Sequence, residues 1–260
     1  MTSAKLLEQR SKGHVKLHVG PAGIIDLRES GASKLRMPRD TRIAFLINTG
    51  GGLAGGDEFQ SNISCATGAA LTVTSQAAER VYRTLGPSAD ISLHLKLAPL
   101  SELYWLPQET ILFDGASLQR RFFVHLSEGA KFLAVEPIVF GRKEMGERID
   151  SVNLHDRWRI FRGGKLVHAE DLRIVDHLPR TKATLGTATA MASLIYIADD
   201  AEARIDTVRA LLGDAGGASA WNGKLVARCV ATDGFRLRKI LFPVLYALSG
   251  ADFLPKNWTI

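Results

Sequence analysis

The stretch "NTGGGLAGGDEFQSNISCATGAALTVTSQ" (Asn48–Gln76) decides between two fold classes. Its glycines at 50, 52 and 55 satisfy the spelling G-x-G-x-x-G, and the strand-like "RIAFLINT" precedes them. A dinucleotide fingerprint needs a helix to open at the loop, because the pyrophosphate rests on the helix N-terminus. The segment "DEFQSNISCATGAALTVTSQ" after the glycines has neither helical periodicity nor helical length. A P-loop carries lysine after its last glycine to neutralise phosphate; this chain has Asp57 in that region, whose charge repels phosphate. The glycines therefore read as a turn between strands, or as a place where another backbone comes close. Five glycines in seven residues exceed the needs of one turn. They point to a side-chain-free surface beside a carboxylate.

Outward from this loop, period-two alternation dominates the first two-thirds of the chain. In "HVKLHVG", Val15, Leu17 and Val19 share one face and His14, Lys16 and His18 the other; "ISLHLKLA" repeats the pattern from Ile91 to Leu97. "ALTVTSQ", "RRFFVHLS" and "KFLAVEPIVF" also read as strands, and "DRWRIFRGGKLVHAEDLRI" reads as a hairpin turning at Gly163-Gly164. No helix separates these strands, which argues against βαβ units and a doubly wound sheet. Beyond Thr187 the character changes. A helix is expected after an Asp199 or Asp200 cap, with Ile205, Val208, Leu211 and Leu212 at helical spacing and Gly213 as its stop. A second helix spans "RLRKILFPVLYALSG", where Pro243 should kink or divide it, and "KLVARCVAT" between them alternates as a strand. The expected fold is mainly β, with strands stacked in a β-helical or barrel-like body and about two C-terminal helices. One continuous domain is expected over 1–260, its β body about 13–186 and a smaller α/β tail about 187–260.

The chain has 260 residues, 46% hydrophobic and 23% charged, ordinary values for a globular protein with a substantial core. Net charge is +6 and the pI about 9.4, so nucleic acid or an acidic partner has to be considered. The bases are scattered and no RNP-type aromatic-basic motif is present, so no nucleic-acid partner is expected. Cys65 and Cys229 form no Cys-x-x-Cys pair. The N-terminal "MTSAKLLEQRSKGHVKL" lacks a secretory core, and no stretch reaches the roughly 20 apolar residues of a membrane span. The expectation is a soluble cytoplasmic protein.

Catalytic and metal signatures are sparse. His14 and His18 lie on a strand, where four residues span roughly 13 Å, too far for one ion. His168 and Glu170 share a strand face roughly 6.6 Å apart and are expected to be a solvent-facing pair in the hairpin. There is no G-x-S-x-G elbow. Several carboxylates stand beside glycine or proline: Asp57 in "GGD", Glu109 in "LPQET", Asp114 in "FDGA", Glu136 in "VEP" and Glu147 in "GE". Acids in such places cap turns as readily as they do chemistry, and a glycosidase-like pair among them stays open.

Five phrases taken in order resemble the urease accessory protein family UreD, also called UreH: "NTGGGLAGGD", "LTVTSQAAERVYRT", "LYWLPQETILFDGASLQRR", "VFGRKEMGE" and the hairpin "WRIFRGGKLVHAEDLRI". The resemblance is close over roughly residues 13 to 180 and looser as far as "LPKNW". It implies a scaffold rather than an enzyme. Such a protein acts with UreF and the GTPase UreG, and indirectly with the nickel carrier UreE, on the urease apoprotein, with a dimer inside the accessory complex left open. It holds no tightly bound cofactor and handles Ni²⁺ transiently. A path of carboxylates, carbonyls and water suits such handling, whereas imidazole and thiolate cages trap the ion. Asp57 is the first candidate on that path, followed by Glu136 and Glu170. Gly50, Gly51, Gly52, Gly55, Gly56, Gln76, Tyr82, Glu109, Asp114, Arg142 and Glu147 fall within the matching motifs as interface or structural candidates, Arg142 being read as a buried partner for Glu147. The chain departs from the family pattern at "ESGASKLRMP" and at Ala54, and its tail carries over no partner contact. A carboxylate-based hydrolase is the alternative reading.

Overall fold

The computed structural model describes residues 10–39, 41–142, 146–147 and 149–259. Residues 1–9, on which the reading of the N-terminus partly rests, and 143–145 of the "VFGRKEMGE" phrase lie outside the described residues. In chain order the strands are β1 (Lys12–Gly20), β2 (Gly23–Gly31), β3 (Ser33–Arg36), β4 (Ile43–Asn48), β5 (Glu58–Cys65), β6 (Ala70–Ser75), β7 (Glu79–Val81), β8 (Ala89–Leu97), β9 (Glu102–Trp105) and β10 (Thr110–Leu112). Then come β11 (Ser117–Leu126), β12 (Lys131–Phe140), β13 (Asn153–Arg162), β14 (Lys165–Ile174), β15 (Ala190–Ile197), helix α1 (Ile205–Leu212), β16 (Gly216–Trp221), β17 (Lys224–Ala231) and helix α2 (Gly234–Ser249).

These strands form two stacked sheets. Sheet A has the order β14-β13-β11-β8-β5-β1-β2; sheet B runs β16-β17-β15-β12-β9-β6-β4-β3, with β7 and β10 as a short parallel flank. Strands β1, β5, β8, β11 and β13 are parallel neighbours in sheet A, and β4, β6, β9 and β12 are parallel in sheet B. Parallel neighbours need a crossover, commonly a helix. Here the crossover of each sheet is a strand of the other, so the chain winds as a solenoid. The sequence expectation of a stacked β body is met, with no helix among its described residues.

Alternation explains the core. Val15, Ser61, Leu93, Phe122 and Trp158 fall in one register row, and all five are buried between the sheets. The next row, Leu17, Ile63, Leu95, Val124 and Ile160, is aliphatic throughout. The outer face of sheet B is covered by α1 and α2 through Val208, Leu212, Leu237, Leu241 and Leu245. For that reason β15 is buried at every position and does not alternate.

The hairpin β13–β14 turns at Gly163 and Gly164, both with positive φ, as expected. Three local expectations are corrected or met only in part. Pro243 lies inside α2 without dividing it; the carbonyl it deprives of a donor belongs to Lys239, which is exposed and can turn to water. Helix α1 takes no Asp side-chain cap, because Asp200 instead accepts from Tyr196 Oη (2.8 Å) and Arg204 Nε (2.7 Å). The pair His168 and Glu170 is not solvent-facing: a register shift between Ile160 and Phe161 accompanies a turn of both toward sheet B, where Glu170 meets Ser193 and Arg228.

The glycine loop of residues 50–56 is packed on two sides. A Cβ on Gly52 would stand 2.5 Å from the Tyr82 ring and 2.9 Å from the Arg80 carbonyl, at a φ of +147°. A Cβ on Gly55 would stand 2.4 Å from the Pro87 carbonyl. Close approach accounts for Gly52 and Gly55, and a positive φ of +75° for Gly51. Gly52→Ala is expected to lower unfolding free energy by about 1–3 kcal/mol, the cost of a strained backbone with nowhere to relax. Gly51→Ala, with open space at its Cβ, is expected to cost less. Urea denaturation of both variants measures the difference, and equal stabilities would refute the close-packing account.

Candidate functional site

The glycine loop borders an internal cavity of about 270 Å³ between the sheets. Exposed Gly51, Gln76 and Ala77 stand at its rim; Asn48 and Glu79 line it, and Trp105, Arg120 and Glu136 form its inner wall. Tyr82 donates its hydroxyl to the Gly51 carbonyl (2.9 Å) and sets its ring edge-on to Phe113. Asn48 organises the rim. Its Oδ1 accepts from Gly50 N–H (2.8 Å), while Nδ2 donates to the Gly52 carbonyl (3.1 Å) and to both Glu79 oxygens (3.1 and 3.2 Å). Burial pushes the Glu79 carboxyl up to about 7, and the nearby Asp57 charge pushes the same way. No cation pairs with Glu79 among the described residues.

The inner wall is a buried charge cluster. Arg120 pairs with Glu136, and grips Asp156 through Nε (3.1 Å) and Nη2 (2.5 Å). Each acid has an indole donor as well, Trp105 to Glu136 (2.7 Å) and Trp158 to Asp156 (3.1 Å). Arg120 also donates to Thr110 Oγ1 (3.3 Å). Two carboxylates share one guanidinium in a buried site. Burial, with the Asp156 charge beside it, pushes Glu136 above the ordinary carboxylate range against the pull of Arg120. Removing the cation leaves two acids without a counter-charge, so Arg120→Met is expected to cost about 3–5 kcal/mol, measured by chemical denaturation. A loss below about 1 kcal/mol would show the cluster to be energetically idle.

The other sequence candidates are dispersed. Asp57 is buried, but its carboxylate is occupied: Oδ1 accepts from Ser11 N–H (2.7 Å) and Oδ2 from Ala54 N–H (2.8 Å), which closes the glycine loop. Glu170 sits between sheets on Ser193 (3.0 Å) and Arg228 (2.5 Å); despite burial, His168, Arg228 and Ser193 hold it below the usual carboxylate range. Glu109 is bound to Arg238 of α2 (2.7 Å). Asp114 accepts from Asp150 and Ser151 N–H (2.8 and 3.0 Å), which lowers its carboxyl. Arg142 does pair with Glu147 (2.9 Å) but is exposed rather than buried, and its guanidinium covers the Phe113 ring. Asp57, Glu136 and Glu170 thus belong to three separate places. Among the described residues no group of three or more His, Cys, Asp or Glu could hold a metal ion.

Arg120, which holds Glu136 in place, its other partner Asp156, and Glu79 at the rim escaped the sequence reading, although the first two carried a signal. Arg120 is in phase with Leu118, Phe122 and Val124, and Asp156 with Leu154, Trp158 and Ile160. A charge on the apolar phase of an alternating strand is buried, and a buried charge requires a partner. Glu79 gave no such signal, since the three-residue β7 is too short to show a phase.

Fold and site together define a two-sheet β-solenoid protein with a partly polar internal cavity whose inner charges are held by one another. The family model described as UreD urease accessory protein matches residues 11–258, and the chain belongs to that family. It is 46% identical over 259 residues to the urease accessory protein UreD of Rhizobium johnstonii, covering 96% of this chain and 94% of the relative. Identity to the urease accessory proteins UreD of Agrobacterium fabrum and Brucella suis is 41% (97% and 93% covered) and 42% (97% and 95% covered). No helix among the described residues is long and apolar enough to cross a membrane.

The Glu79 shift has a sign that stability can read. Its folded value, about 7, lies above the ordinary glutamate value of 4.5, so between these values the folded state binds more protons than the unfolded state. Stability is therefore expected to fall as pH rises through that window and to level off above it. Glu79→Gln should flatten the profile of melting temperature against pH between about 5 and 8. An unchanged profile would place the titration elsewhere.

Proposed function

We propose that this chain is a non-enzymatic urease maturation chaperone, which binds apo-urease together with UreF and the GTPase UreG and lets Ni²⁺ pass through the internal cavity. The cavity is the observation that carries the reading. Its walls offer the Glu79 carboxylate, the Asn48 and Gln108 amides and the hydroxyls of Ser61, Ser75 and Thr110, while Glu136 is held by Arg120 and Trp105. These are hard oxygen donors with no imidazole or thiolate among them, and such a set suits an ion that must leave again. Glu79 takes the place first given to Asp57, since Asp57 spends both oxygens on backbone N–H groups. Glu170 does not line the cavity and serves the contact between sheets. UreE enters only as an upstream nickel source, and the chain acts in the cytoplasm.

The hydrolase alternative rests on acids brought together in space. The pair that the structure unites, Glu136 and Asp156, is engaged by Arg120 and two indoles, which opposes the free carboxylate that a nucleophile or base requires.

In cells that make urease, deleting this protein is expected to leave the urease subunits present but poor in nickel and inactive. Restoring the chain with Glu79→Gln should recover assembly while lowering nickel per urease by roughly tenfold, as loss of a metal-handling group does. Metal analysis of purified urease reads both. Normal nickel content after the deletion would overturn the proposal.

A further inference from the structure

The outer face of sheet A has a composition that neither the fold nor the cavity requires. Because β1, β5, β8, β11 and β13 are parallel and in register, its outward side chains line up in rows. The central row is Lys16, Asn62, His94, Phe123 and Arg159. The rows on either side, from His14 to Arg157 and from His18 to Phe161, are built alike, and no Asp or Glu occurs in any of the three. Of the seven histidines in the chain, five (His14, His18, His94, His125 and His155) lie on this face.

Charge on the face is positive but moderated. The bases of these rows are Lys16, Lys96, Arg121, Arg157 and Arg159, and the neighbouring acids are four, of which Glu58 in the next row meets Lys12 (3.2 Å). Asp26 meets Lys16 (3.3 Å), Asp90 meets Arg121 (2.6 Å), and Asp171 meets Arg157 and Arg159 (3.0 and 2.5 Å). Lys96 has no ion pair among the described residues. A face rich in Arg and aromatic side chains and poor in acids has the composition of a protein interface rather than of a solvated sheet. Its extent is sufficient. Seven strands about 4.8 Å apart and roughly nine residues long cover on the order of 1,000 Å², against about 800 Å² per partner in a stable complex.

The ring geometry chooses between the two kinds of acidic partner. His94 stacks on Phe123 (5.2 Å, 15°) and His125 on Phe161 (4.9 Å, 7°), each pair lying on adjacent strands. That separation is the strand spacing itself, about 4.8 Å, so the rings stand upright and turn their edges outward. Single-stranded nucleic acid is bound by stacking bases on exposed ring faces, and here each ring gives one face to its partner and turns an edge outward.

We propose that the outer face of sheet A is a docking platform for a flat acidic protein surface. The inference rests on the reading of this chain as a urease maturation protein, which makes the urease apoprotein the partner to test. Purified chain and apo-urease are titrated by biolayer interferometry at low and high salt, with UreF present and absent. Wild-type affinity is expected to fall as salt rises. The double variant Lys16→Glu/Lys96→Glu is expected to bind at least about tenfold more weakly, with an unchanged melting temperature. A double variant with the same charge change elsewhere, Lys239→Glu/Lys256→Glu, should bind as wild type does. Equal affinity of the sheet-face variant and wild type would overturn the platform while leaving the maturation role intact. Loss of binding to labelled single-stranded RNA, with apo-urease affinity retained, would also overturn it. Failure of wild type to bind apo-urease under any condition would overturn the platform and the maturation reading together.

Discussion

Parallel strands cannot be joined by a tight turn, and this constraint shapes the molecule. With no helix among the described residues between β1 and β14, each sheet supplies the other's crossovers, so two largely parallel sheets are built in one winding. Winding at constant register does two further things. It stacks chemically similar side chains into rows on both faces of sheet A, and it encloses an interior that no single turn of the chain could close. The apolar rows make the core and the outward rows make a flat polar face. Where an apolar row is interrupted by Arg120 and Asp156, side by side in register, a partly polar cavity replaces close packing.

The charge cluster in that cavity sits near an energetic balance. Desolvating three ions is expensive, and mutual attraction offsets the cost only when geometry and additional donors are favourable. Trp105 and Trp158 supply such donors from within the core, and Thr110 shares the guanidinium. Apolar residues of equal volume would pack at no lower stability but leave the cavity wall without polar groups. In the maturation reading, that is the reason polar groups occupy a position where stability alone does not favour them. At the rim the logic is different. Glu79 has an amide in place of a cation, so its proton and any passing cation compete for the same oxygens.

Much of this fold was legible because sheet A has one face in the core and one in water: "HVKLHVG" and "ISLHLKLA" announce their phase directly. The hairpin was legible for a separate reason, since only glycine readily takes positive φ twice in succession. Reading failed where alternation carries no information. Strand β15, "AMASLIYI", is covered on both faces and reads as an unbroken apolar run; β7 and β10 are three residues each. The site was less legible than the fold. Asp57 stood out because glycines precede it, yet glycine-rich loops need closing, and its carboxylate does that. Glu136 was found, while its partners Arg120 and Asp156 were not, because in-register neighbours lie 36 residues apart along the chain.

A winding of parallel strands has two open ends, each a row of unpaired peptide groups ready to accept another copy. In this chain the ends are blunted. Antiparallel β2 forms one margin of sheet A and antiparallel β14 the other, each with a bulge in its pairing to the neighbouring strand. In sheet B the last strand, β16, lies under α1, whose Arg209 donates to the Ala218 carbonyl at 3.0 Å. Bulged and covered edges act as terminators of growth. A solenoid that lacked them would be a seed for its own fibre, so the hairpin and the short helix keep a repetitive architecture finite.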